Sequence, residues 1–144
     1  MYADLVMEHF MNPRNIGDVV DADGVGEIGD PGCGDVTRIS IAVDGSDRIA
    51  DVKFKTFGCG AAVATASMVT EMVMGRSIQE AAGVSNTAVA EALGGLPPEK
   101  MHCSNMAADA LHLAIEDYLV KTGREAEVEQ TLRARPKAPE SSSR

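Results

Sequence analysis

The sequence predicts an α+β domain: a three-stranded antiparallel β-sheet with helices packed on one face and its chemistry-bearing loops clustered at one end. Two observations predict it. Apolar and polar residues alternate through 37–43 and 49–57, Val25, Glu27 and Ile28 make 25–29 strand-like, and turn chemistry stands between them at Gly29-Asp30-Pro31-Gly32 and Asp44-Gly45-Ser46-Asp47. From residue 61 the period lengthens to that of a helix, and glycines and prolines divide the remaining chain into separate helices.

Each element has a local reason. Residues 2–11 place Leu5, Val6, His9 and Phe10 at helical spacing and stop at Asn12-Pro13, so a short amphipathic helix and then a loop over 11–17 are expected. In the second strand Ile39, Ile41 and Val43 alternate with Arg38, Ser40 and Asp44, the mark of a half-buried strand. The third strand follows after a short turn, so the two form a hairpin whose open end brings Asp35 beside Phe57. Residues 61–74 are rich in small side chains, which lets a helix lie close to the sheet, and Gly75 suits a left-handed cap. Two short helices are expected over 77–82 and 86–93, opened by Ser77 and Asn86 and closed by Gly83 and Gly94. A last helix over 104–121 opens on Ser104 after the extended Pro97-Pro98. It puts Ala107, Leu111, Ala114, Ile115 and Tyr118 on one face and Asp109, His112 and Glu116 on the other.

Residues 1–123 therefore read as one domain, closed by Gly123, and 124–144 as a charged extension. Its first part, with Val128 and Leu132 its apolar residues, suits a loose helix or a partner-binding segment, and 136–144 has the composition of a disordered tail. The core must be built from Val, Ile, Leu, Met and Ala, because aromatics are 3% and Trp is absent. A net charge of -9 argues against nucleic acid, anionic membrane and acidic partners. No apolar run reaches the roughly 18 residues of a membrane span and the N-terminus lacks a basic leader, so a cytoplasmic protein is expected.

The chemistry rests on three cysteines, each at a junction. Cys33 sits on a glycine-rich turn, Cys59 between Gly58 and Gly60 where strand passes into helix, and Cys103 at a helix entrance. Cys33 and Cys59 are 26 residues apart, and only the hairpin makes them neighbours. One such cysteine alone reads as a small core residue. Three at junctions in a reducing compartment read as metal ligands or catalytic thiols before disulfides, and helix N-termini behind Cys59 and Cys103 favour the thiolate. Soft thiolates select zinc, copper(I) or iron-sulfur clusters, and three Cys with Asp35 or His102 suit tetrahedral zinc or a [2Fe-2S] unit. His9 and His112 read as exposed helix positions, and Lys53, Lys55 and Glu71 as solvated ones.

The segments GDPGCGD at 29–35, FKTFGCGAAVATAS at 54–67 and GLPPEKMHCSNMA at 95–107 resemble the three ligand segments of the IscU/NifU iron-sulfur scaffold family. HFMNPRNIG at 9–17 and TEMVMG at 70–75 are also similar to it. The resemblance implies an IscU/SufE-like fold and a scaffold and carrier rather than an enzyme. On it a labile [2Fe-2S] cluster is built from iron and from persulfide sulfur of a cysteine desulfurase, then transferred to acceptor apo-proteins or carrier proteins. It implies Cys33, Cys59 and Cys103 as cluster and metal ligands with Asp35 or His102 as the fourth. Cys103 matches the persulfide acceptor, Lys100 a basic residue near the metal, and Tyr2 a residue at contacts between two scaffold molecules. A homodimer with facing sites would couple two clusters into [4Fe-4S]. A hard carboxylate binds soft metal less firmly than thiolate, so Asp35 would keep the cluster releasable.

The chain has LPPEK at 96–100 where members served by a dedicated Hsp70-type chaperone carry LPPVK, so it is more similar to the nitrogen-fixation branch. Two alternatives stand beside the scaffold. One is a zinc-binding sulfur-acceptor protein with the same ligands. The other is a transferase or hydrolase using Cys103 as nucleophile with His102 or Lys100 as base.

Overall fold

A computed structural model describes residues 4–30, 35–58, 60–96, 98, 101–124 and 126–127. The chain runs α1 (Asp4–Met11), β1 (Gly24–Asp30), β2 (Asp35–Val43), β3 (Ile49–Phe57), α2 (Gly60–Val73), α3 (Ile78–Ala82), α4 (Asn86–Ala92) and α5 (Met101–Lys121). The strands lie in the order β1-β2-β3, antiparallel throughout. The expected α+β architecture is the observed one.

Register decides which residues meet. Gly26, Ile39 and Phe54 share a row across the sheet, and Gly24, Ile41 and Val52 the next. On β2 and β3 the large side chains of these rows are buried. On β1 the rows end in glycine because α5 lies against the strand. A Cβ on Gly26 would sit 2.1 Å from the Ala110 carbonyl oxygen, and one on Gly24 2.2 Å from that of Ala114. The alternation that reads as a strand thus has its core positions at β1 filled by helix backbone. On the opposite face Arg38 pairs with Asp18 and Glu27, and Lys55 with Asp18. The outer edge of β1 is guarded where Val25 N–H donates to the Asp117 carboxylate at 2.9 Å.

The core is aliphatic, with Ile39, Ile41, Ile49, Val52, Val69, Leu111, Ile115 and Leu119 fully enclosed and Phe54 among them. Helix α2 is buried almost all round, and it commits three hydroxyls to its neighbours. Thr65 donates to the Cys103 carbonyl of α5, Ser67 meets His9 of α1, and Thr70 accepts from the Asn15 side chain. A small-residue helix therefore packs closely and still pins three segments by hydrogen bonds.

Four expectations change. Helix α5 begins at Met101, so position 104 lies inside it rather than at its cap. Ser85, not Asn86, caps α4 by accepting from Ala88 N–H. His9 and His112 are buried rather than exposed: His9 Nδ1 lies 2.7 Å from Ser67 Oγ, and His112 Nε2 2.8 Å from the Val84 carbonyl. Both sit on helix faces that other segments cover, which helical periodicity alone does not show. Ser77 opens α3 in a full capping box with Glu80, and Gly75 and Gly123 take the left-handed conformations expected of helix stops.

Candidate metal centre

Four element ends converge where the ligand segments begin and end. Asp30 pairs with Asp35, so the connection carrying Cys33 leaves and rejoins the sheet at neighbouring positions. Val36 pairs with Phe57, which brings the end of β3 beside the start of β2. Helix α2 starts at Gly60, and the first turn of α5 lies on the first turn of α2. The expected hairpin is the observed one, with Val36 opposite Phe57, and Cys103 packs with the first turn of α2.

Cys33 and Cys59, with Lys100 and Tyr2, lie outside the described residues. Position 35 is the first residue of β2. Position 102 is the second residue of α5. Cys103 is 1% exposed, packed on Ala61 and Ala62 of α2 and on Leu96. The residue that matches the persulfide acceptor is thus folded away in this conformation.

Polar side chains brace the same end. Thr56 donates its hydroxyl to the Val36 carbonyl at 2.6 Å, which leaves Thr37 to donate to Thr56 at 3.1 Å across the β2–β3 pair. Thr65, wholly buried in α2, donates between the carbonyls of Ala62 at 3.1 Å and Cys103 at 3.2 Å. The Phe10 ring covers Gly60, where a Cβ would come within 3.1 Å of it, and Phe57 stands 78% exposed nearby in sequence. Sequence reasoning does not single out Thr65. Its one signal is a lone hydroxyl in the alanine-rich run AAVATA.

The helix start bears on the thiol-enzyme alternative. Positions 102 and 103 both lie inside α5, where adjacent residues are about 100° apart around the axis. That spacing opposes direct nucleophile-base pairing. Among the described residues no group of three or more His, Cys, Asp or Glu is placed to hold a metal, and no helix is long and apolar enough to cross a membrane.

A sheet with a helix on its glycine-lined rows and three junction segments at one end defines a small α+β ligand-loop domain. Its structural likeness is to a protein described as an iron-sulfur cluster assembly scaffold for the SUF system from Fervidobacterium islandicum. That match has a TM-score of 0.66 and 24% identity over 79% of this chain and 96% of the other. A NifU-like N-terminal protein from Brucella abortus matches at a TM-score of 0.52 and 14% identity, over 93% and 95% of the two chains. These show the fold. Sequence relatives are much nearer. Iron-sulfur cluster assembly scaffold protein IscU 1 of Archaeoglobus fulgidus is 60% identical over 124 residues, covering 86% of this chain and 80% of the relative. IscU of Aquifex aeolicus is 52% identical over 124 residues (85% and 79%), and IscU of Azotobacter vinelandii 49% over 125 (85% and 97%). Residues 1–125 match the NifU-like N terminal domain, and the chain belongs to that family.

Proposed function

We propose that the protein is a non-enzymatic scaffold on which an iron-sulfur cluster is assembled and from which it is passed on. The observation that carries this reading is the convergence, at one end of the sheet, of the three segments that match the family's ligand motifs. Cys33, Cys59 and Cys103 would supply thiolates, with Asp35 or His102 completing the shell. The cluster is cargo, of [2Fe-2S] type, and zinc would take the same thiolates when no cluster is present.

The chain's own residues give this chemistry its physical basis. Cys59 immediately precedes α2 and Cys103 lies in the first turn of α5, so helix N-terminal N–H groups favour both thiolates. Cys103 is the sulfur acceptor from a cysteine desulfurase, and the cluster leaves for an acceptor apo-protein or carrier. Lability follows from mixing a hard ligand with soft ones, so Asp35 is the release point. The setting is the reducing cytoplasm, where thiols persist without oxidation. A homodimer with facing sites is the route to [4Fe-4S], and the Glu99 variant of the proline motif argues for working without a dedicated Hsp70-type partner.

The test is anaerobic analysis of iron, zinc and acid-labile sulfide, with a visible spectrum, on protein co-expressed with a desulfurase. Equal iron and sulfide with charge-transfer bands are expected. Zinc alone, even after iron and a sulfur donor are supplied, would leave the sulfur-acceptor alternative. Asp35→Ala is expected to slow cluster loss to an apo-acceptor several-fold, and an unchanged transfer rate would remove Asp35 from the release step.

A further inference from the structure

The burial of Cys103 sets a problem for any role it has with a partner. Cys103 is packed with Ala61, Ala62 and Leu96, so a shift of the first turn of α5 away from α2 would bring it to solvent. One tie across that seam is Thr65. Its hydroxyl reaches the Cys103 carbonyl at 3.2 Å and, alternatively, the Ala62 carbonyl of its own helix at 3.1 Å.

The second acceptor changes what opening costs. A carbonyl has two lone pairs, so the Cys103 oxygen can accept from Thr65 while keeping its bond within α5. When the turn of α5 moves away, Thr65 keeps Ala62, so its own buried hydroxyl is not orphaned. Two residues further on, Asn86 of α4 donates to Asn105 of α5, which anchors the helix just beyond Cys103. The movable unit is therefore the first turn alone.

We propose that Thr65 is the positioning residue of Cys103: its hydroxyl holds the first turn of α5 closed on α2, and its transfer to the Ala62 carbonyl is the latch that lets the third thiol emerge. This rests on the reading of Cys103 as a functional thiol. It adds a switch inside α2 that neither ligand motifs nor helix periodicity contains. Local opening of this kind draws on the least stable part of a fold and leaves the rest intact.

The test uses the full-length, metal-free protein with Thr65→Val, which keeps the shape and removes the hydroxyl, and Thr65→Ser, which keeps the hydroxyl. Pulses of iodoacetamide are followed by trypsin, since the peptide Met101–Lys121 carries Cys103 as its single cysteine. Thr65→Val should label Cys103 about fivefold faster than the parent protein, the equivalent of about 1 kcal/mol for one neutral hydrogen bond. Thr65→Ser should stay within about twofold, and amide exchange at Ile39 and Ile41 should not change in either. The proposal fails if Thr65→Val labels at the parent rate, if Thr65→Ser is as fast as Thr65→Val, or if exchange in β2 rises in proportion. Labelling needs no metal, so it is independent of the scaffold reading. A latch that responds in a chain unable to form a cluster would retire that reading and leave the latch standing.

Discussion

The two ends of α5 are held by different chemistry. At its C-terminal end Arg124 grips both oxygens of Asp47 at 2.9 Å, Tyr118 donates to the same carboxylate at 2.8 Å, and Glu127 takes the guanidinium from the other side at 2.9 Å. The guanidinium also lies 5.7 Å from the Tyr118 ring centroid. At the N-terminal end the described ties across the seam include a shared hydroxyl at Thr65 and an amide pair at Asn86 and Asn105. Charge-assisted, bidentate bonds are about twice as strong as neutral ones. Among the described ties, the helix is thus clamped by charge away from the ligand segments and joined by neutral hydrogen bonds beside them. On the scaffold reading proposed above, the end that would exchange cargo is not the end that carries the charged anchor.

The largest expected effect tests the frame that both ends share. Gly26→Ala puts a Cβ 2.1 Å from the Ala110 carbonyl oxygen and 2.5 Å from the Ala114 nitrogen, both backbone atoms that cannot rotate away. A loss of more than about 3 kcal/mol in urea unfolding is expected, at the upper end of overpacking costs. An unchanged midpoint would mean that α5 can lift from β1 freely, and the contrast between its ends would lose its basis.

Next comes the clamp. Arg124→Ala should cost about 1–2 kcal/mol, since the pair is bidentate but partly exposed. Amide exchange should rise around the β2–β3 turn and the end of α5, while Cys103 alkylation stays at the parent rate. An equal rise at Cys103 would show the ends to be coupled. The clamp also carries a pH signature. Hydrogen bonds from Arg124 hold the Asp47 carboxyl below its ordinary 3.8, so its contribution is present above that value and is lost as pH falls through the lower folded value. Burial and the bond to Asp47 push the Tyr118 phenol up to about 12, so it stays protonated as the partner of that carboxylate across the working range.

The smallest effect brings in a third contact, that of α1 on α2. The Glu71 carboxylate can only accept, so the neutral imidazole of His9 faces it with Nε2–H, 3.4 Å away, and Nδ1 accepts from Ser67 Oγ at 2.7 Å, while the same Ser67 oxygen accepts from Arg14 N–H at 2.9 Å. Burial first, and then the Arg14 charge, lower the His9 pKa from 6.5 against the opposing pull of Glu71 and Glu8. The unfolded chain therefore binds the proton more readily, and stability falls as pH drops below about 6.5. His9→Asn keeps an acceptor for Ser67 without a titrating group. It should flatten the pH dependence of the urea midpoint between pH 7 and 5, and an unaltered slope would place the dependence elsewhere.

Much of this is legible in the chain because local physics decides it. The strands at 37–43 and 49–57 are written in alternation and that at 25–29 in a short strand-like run before a turn, and the observed elements extend them by few residues. The hairpin places the segments of Cys33 and Cys59 together by its turn alone. The start of α5 is less legible, since Ser104 has the chemistry of a cap and nothing nearby in sequence shows that the helix begins at Met101. Thr65 reads as one more small residue of a packing helix, and Arg124 as part of a loose extension, although it closes the domain on Asp47.

The α+β order, the turns and caps at Gly75, Ser77 and Gly123, and the three junctions at which thiols stand all depend on neighbours along the chain, so the residues themselves dictate them. Three other features come from docking: β1 yields its core rows to the backbone of α5, His9 and His112 lie inside, and Cys103 rests closed under Thr65. Each of those is a contact between residues far apart in sequence, and its energy exists only once the helices have packed on the sheet.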